Sequence, residues 1–228
     1  MEQSITIAIY VHAFFGGIGL IAGTISFLVK KGSKSHLLAG KWFSIGMIIS
    51  SLISIPVAWI PGHKNMFLFL IALFTIYLVL AGNRALTFKP IFKKTSATLI
   101  DKLISGSMML FAMVMIGVGI LGLIQDGQNA VLFLFFGLFG LGFAIKDFRF
   151  YKNPAADTSK WLVNHLARII GAYIASITAF MVAGLNFDNL AAWMLPTLIG
   201  TGAIIYWTRR VGKRKFLRPR MPKTNNLG

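Results

Sequence analysis

Four histidines, His12, His36, His63 and His165, are the residues of this chain best suited to chemistry. Imidazole ligates transition metals and haem iron. No cysteine is present, which removes thiolate sites, disulfides and thiol catalysis. The four histidines divide by position. His12 lies about 10 Å into the first apolar segment at 1.5 Å per residue, on the same side as His63 in a loop, while His36 and His165 each precede an apolar segment at its basic end. Two bis-histidine pairs at opposite faces, His12 with His63 and His36 with His165, are what a transmembrane haem or metal redox protein needs. Plainer readings compete. His63 reads first as a solvated loop residue, and His12 as a hydrogen-bond partner of a neighbouring helix, because an unpaired buried imidazole is costly.

A second constellation gathers at the basic end. Arg84 closes the third apolar segment, Asp147 and Arg149 close the fifth, and His165 with Arg168 opens the sixth. Asp147 pairs with Arg84 or Arg168 in this reading and leaves surplus positive charge. That surplus suits an anion such as a lipid phosphate, a carboxylate or a haem propionate. The competing reading is a salt-bridge network that only locks helix ends. His165 and Arg168, three residues apart, share a helix face, and Gly171, Ala172 and Ala175 allow another helix to approach. Met108, Met109, Met113 and Met115 invite a copper-thioether reading, with ordinary packing as the simpler account.

What is missing narrows the field. The chain has no Walker loop, nucleophile elbow or His-Glu-x-x-His helix. Its six acids all fall at segment ends or in loops, which weakens an ion-coupled transporter. The seventh segment has no lysine for a retinal Schiff base.

The elements that must position these groups are membrane helices. With 56% apolar and 13% charged residues, the 228-residue chain is no soluble basic domain despite its net charge of +17. Crossing ~30 Å of hydrocarbon takes about 20 helical residues. Apolar stretches of that order lie at roughly 5–28, 42–60, 66–88, 100–124, 130–146, 163–184 and 191–208, the fifth being the shortest. Period-2 alternation is absent, so strands are excluded. The expected fold is an all-α integral membrane protein of seven transmembrane helices over residues 1–208, followed by a basic cytoplasmic tail at 209–228.

Orientation follows from the bases. Of the 23 lysines and arginines, all but Lys64 fall on one side of the seven segments. By the positive-inside rule that side is cytoplasmic, the N-terminus is outside and the C-terminus inside. The tail bases Arg209 to Lys215 then read as a clamp on anionic lipid at the cytoplasmic face, with no nucleic acid as partner. The tryptophans Trp42, Trp59, Trp161, Trp193 and Trp207 sit near segment ends as interfacial anchors. His36-Leu37 and His165-Leu166 lead into the second and sixth segments in similar ways. If the echo is structural, helices one to three and five to seven form two parallel repeats with the fourth as linker, a 3+1+3 arrangement.

His12 with Gly16-Gly17 and Gly23, then Lys31-Gly32 and His36-Leu37-Leu38-Ala39-Gly40-Lys41-Trp42, resembles a bacterial family of multi-pass membrane proteins known only as a domain of unknown function. In that family the first histidine begins an apolar helix and a His-Arg-x-x-Gly-Arg motif opens the second. Here Leu37 and Lys41 stand where the family often has arginines. Asp147-Phe148-Arg149 and the stretch from His165 through Arg168 to Phe180 are similar to its members too. The resemblance implies a location in the bacterial inner membrane and carries no activity.

The expectation is therefore a non-catalytic membrane module that binds a small or anionic ligand or lipid at the cytoplasmic-side cluster of His36, Arg84, Asp147, Arg149, His165 and Arg168. It could instead assist a membrane complex with a protein partner or a second copy of itself. Two further readings stay open: the haem- or metal-binding redox protein, and a facilitator or channel lined by His12 with serine and threonine groups.

Overall fold

The computed structural model describes residues 2–125, 130–154, 159–187 and 190–216. They form α1 Glu2–Leu28, α2 Lys34–Val57, α3 Met66–Ala85, α4 Leu99–Ile124, α5 Ala130–Lys152, α6 Lys160–Ala179 and α7 Leu190–Phe216. Two short 3-10 turns follow α3, and α6 runs on as one π-helical turn over Phe180–Gly184. No strand occurs among the described residues. Six helices, α1 to α6, are long and apolar enough to cross a bilayer. In α7 the apolar run is interrupted by Pro196, Thr197, Thr201 and Thr208 and gives way to bases at Arg209 and Arg210.

α3 sits in the middle. It touches α2, α4, α5 and α6, and 61% of its apolar window is buried against 11% for α1. α1 lies along α2, α4 along α5, and α7 against α6. A 3+1+3 repeat would set α5 in the place of α1, yet α5 packs along α4 rather than along α6. The core holds Phe43 and Met47 of α2, Phe74, Leu78 and Val79 of α3, Met108 and Met115 of α4, and Phe136 of α5. Met113, by contrast, is exposed, so the four methionines of α4 do not share one face and two of them act as filler. The outer faces carry Phe14, Ile21, Leu110, Val114, Leu121 and Leu138 in the open. Exposed apolar surface on this scale is rare on soluble monomers and supports a membrane protein.

Helix ends differ from the apolar stretches because polar residues extend the helices without raising hydropathy. α2 begins at Lys34 rather than 42, capped by Ser33, whose hydroxyl accepts the His36 N–H at 3.2 Å. α5 continues past 146 to Lys152, so Asp147 lies inside the helix instead of closing it, while Arg149 falls in its last turn. Phe150 anchors that extra turn by an edge contact with Phe88, ring centroids 4.9 Å apart. α7 likewise runs through Arg209 and Arg210 to Phe216; residues 217–228 of the expected tail lie outside the described residues.

The α1–α2 pair depends on glycine. A Cβ on Gly46 would lie 2.7 Å from the Phe15 carbonyl oxygen and 2.9 Å from the Gly19 nitrogen, main-chain atoms that no side-chain rotation can move. Gly46→Ala is expected to cost about 1–3 kcal/mol by forcing the helices apart. Thermal unfolding in detergent checks this against Gly40→Ala, where nothing lies within 4 Å. Equal midpoints for the two variants would show that α1 and α2 do not cross this closely.

Candidate functional site

The polar residues separate into three groups. In the first, Asp147 and Arg168 are 4% and 1% exposed, and an Arg168 Nη2–H donates to Asp147 Oδ1 at 2.5 Å and to the Phe143 carbonyl at 2.9 Å. Tyr77 Oη and Ser105 Oγ donate to Asp147 Oδ2 at 2.6 and 3.0 Å, and Ser105 also meets Tyr151 Oη at 3.0 Å. The guanidinium carbon lies 4.5 Å from the centre of the Phe143 ring. Side chains from α3, α4, α5 and α6 thus meet at one carboxylate. The carboxylate's charge is neutralised and both its oxygens accept hydrogen bonds, so the group ties the four helices together, while the buried Arg168 Nε–H has no partner among the described residues.

The second group takes Arg84 away from Asp147. Arg84 Nε and Lys94 Nζ each donate to the buried Asp101 at 2.6 Å, while Arg84 Nη2 reaches Thr98 Oγ1 at 3.0 Å. The Thr98 N–H donates to Asp101 Oδ2 at 2.8 Å, which caps the start of α4. Lys94 Nζ also meets Thr87 Oγ1 at 2.9 Å and lies 4.0 Å from the centre of the Phe88 ring. Asp101, Lys94, Tyr77, Ser105 and Tyr151 were not singled out by sequence reasoning. The signal for Asp101 was present in the spacing Thr98-x-x-Asp101, a helix-start pattern.

The third group is a cleft between α1, α2 and α6. Lys31, His36 and His165 line it together with Ser26 and the apolar side chains of Phe27, Phe43, Ile169 and Tyr173. It encloses about 40 Å³ of free space, room for roughly three waters or a fragment of a few heavy atoms. A porphyrin is far larger. Lys31 Nζ caps the end of α1 by donating to the Ser26 and Phe27 carbonyls at 2.8 and 2.6 Å, and burial lowers the pKa of the ammonium below its ordinary value. No acid is among the lining residues.

Hydrogen bonds fix the histidine rings. His165 Nδ1 lies 2.9 Å from the Gly82 carbonyl oxygen, His36 Nδ1 3.1 Å from that of Ser26, and His12 Nδ1 2.9 Å from that of Ser50. A carbonyl can only accept, so the His165 ring carries a proton on Nδ1, whereas Nδ1 of His36 and of His12 also lies 3.0 and 2.9 Å from the hydroxyl oxygens of Ser26 and Ser50. His36 and His165 therefore share a cleft. His12 is held elsewhere, between α1 and α2, where Ser50 Oγ also donates to the His12 carbonyl at 3.0 Å. His63 is exposed in the α2–α3 connection, and no bond joins it to His12 among the described residues. Arg149 is exposed and enters no salt bridge among the described residues. No three His, Asp or Glu residues among those described stand close enough to hold a metal ion. Of the six residues expected to form one ligand site, Asp147 joins Arg168, Arg84 joins Asp101, His36 joins His165, and Arg149 stands apart.

No protein-family model, no curated protein and no solved structure matches this chain, so its reading rests on the geometry of these three groups.

Proposed function

We propose that the chain is a seven-span protein of the bacterial inner membrane, N-terminus outside and C-terminus in the cytoplasm, and that it binds the phosphate of an anionic lipid in the cleft of Lys31, His36 and His165. The orientation rests on the bases. The seventh span would be the part of α7 before its bases, residues 190–208, which reaches about 28 Å at 1.5 Å per residue. The observation that carries the ligand reading is a cleft with basic groups, apolar walls and no acid among its lining residues, where α1 ends and α2 and α6 begin. Its enclosed volume admits a headgroup fragment and leaves the acyl chains against the apolar outer faces. In this reading the protein is a binding module, with the buried acids Asp101 and Asp147 tied to Arg84, Lys94 and Arg168 and not among the residues that line the cleft.

Native mass spectrometry of protein extracted in mild detergent tests the proposal. Anionic phospholipid is expected to be retained, and Lys31→Gln to lower retention about tenfold, the loss of one charge-assisted hydrogen bond. Lys31→Arg restores it, and His63→Ala leaves it unchanged. Glycerol phosphate at millimolar concentration competes if the cleft reads the phosphate alone. Equal retention in the wild type, Lys31→Gln and His63→Ala proteins would remove the cleft from consideration.

A further inference from the structure

Lys31 meets a helix that does not line the cleft. Its Nζ lies 5.6 Å from the centre of the Trp207 ring in α7 and 5.4 Å from that of Phe27, so the chain just past α1 and the basic end of α7 stand side by side. Arg210 uses the same indole. Its guanidinium carbon is 5.6 Å from the Trp207 ring centre and 5.9 Å from that of Tyr206, whose Oη accepts an N–H from Arg210 Nη1 at 2.7 Å. Two cations therefore share one ring, at most twice 5.6 Å apart. All salt bridges among the described residues go to Asp101 and Asp147, so neither cation is neutralised there. Like charges this close repel, and a bound anion relieves the repulsion. Both also keep donors. Lys31 gives two of its three N–H groups to the Ser26 and Phe27 carbonyls, and Arg210 gives one of its five to Tyr206. Rings and oxygens hold the two side chains in place, which spares a ligand part of the cost of ordering them. Arg210 is exposed, and neither it nor Trp207 lines the cleft, so a group bound there claims none of the cleft's small volume.

We infer that the lipid bound at Lys31 carries two phosphates, one held by Lys31 at the cleft and the other by Arg210 across Trp207, as the glycerol-linked phosphates of cardiolipin would be. This step deepens the lipid reading above and rests on it. Basic pockets between membrane helices at the cytoplasmic face suit such headgroups. The guanidinium fork takes two oxygens of one phosphate, and the ammonium serves the other as a point charge. A lipid with a single phosphate engages one cation and leaves its neighbour unmatched.

The experiment exchanges cardiolipin and phosphatidylglycerol with the same acyl chains into protein in mild detergent and follows each by native mass spectrometry. Cardiolipin is expected to be retained about tenfold over phosphatidylglycerol in the wild type, the worth of one further charge-assisted contact. A basic surface also attracts a doubly charged lipid without any site, so the deciding comparison is between neighbouring arginines. Arg209 is exposed and has no ring contact among the described residues. Arg210→Gln should lower the ratio severalfold, whereas Arg209→Gln, which removes the same charge, should leave it near the wild-type value. Trp207→Leu keeps both charges but loses the ring between them, and should lower the ratio too. Equal ratios in the two arginine variants overturn the inference, as does a wild-type ratio near one. If phosphatidylglycerol retention still falls in Lys31→Gln, the phosphate reading stands without the second phosphate. Retention of both lipids indifferent to Lys31→Gln strikes that reading itself. The wild-type ratio needs no variant to fold, so a failed preparation does not protect the inference.

Discussion

Arg168→Met is expected to destabilise the folded bundle by about 3–5 kcal/mol, the cost of stranding a buried charge whose partner has gone. The guanidinium is only 1% exposed, and its removal leaves the Asp147 carboxylate with two neutral donors, Tyr77 and Ser105, and no counter-charge. Methionine fills similar volume, so the loss reads the charge rather than a cavity. Asp147→Asn should cost a comparable amount by leaving the arginine unmatched. The double variant should cost much less than the sum, because neither charge is then left alone. Equilibrium unfolding in mixed micelles gives all three values. Single-variant losses below about 1 kcal/mol would mean that water reaches the pair and that it does not tie α5 to α6.

Asp101→Asn is the second large effect, at about 2–3 kcal/mol, since hydrogen bonds to a charged group are worth about 1.5–3 kcal/mol each and part of that is recovered. The carboxylate is fully buried, but its partners Arg84 and Lys94 have side chains 28% and 15% exposed and can turn towards water. That hydration is why the expected cost falls below that for Arg168. The α4 cap is weakened in the same step, because a neutral amide accepts the Thr98 N–H less strongly than the carboxylate does. Amide exchange should rise first at Thr98 to Lys102. Uniform protection along α4 in the variant would show that the cap does not depend on the carboxylate.

These two carboxylates show what was legible in the sequence. Hydropathy located α1, α3 and α4 closely, since their apolar residues run nearly to their ends. It missed the first turns of α2 and the last of α5, where Lys34-Ser35-His36 and the bases Arg149 and Lys152 are helical but polar. That error placed Asp147 at a helix end, where any nearby base could claim it. The choice between Arg84 and Arg168 depended on which helices neighbour α5, and helix order around a bundle leaves no trace in local composition. Asp101 and Arg84 are only 17 positions apart, yet the compact turn that joins α3 to α4 had to be seen before their pairing was evident. His36 and His165 were matched by their shared position at the basic end, and the cleft brings them together. His12 and His63 were matched on the same ground, but one is held by Ser50 and the other is exposed.

The carboxylate at the meeting of four helices also bears on how the chain comes to be inserted. A ribosome delivers α3, α4 and α5 before α6, so Asp147 finds Tyr77 and Ser105 while Arg168 is still unmade. Until then the acid has neutral company only. A chain that ends after α5 therefore lacks the counter-charge for Asp147, and one that reaches α6 supplies it in a single residue, Arg168. The bond that closes the four-helix junction is thus the last of its contacts that the growing chain can form.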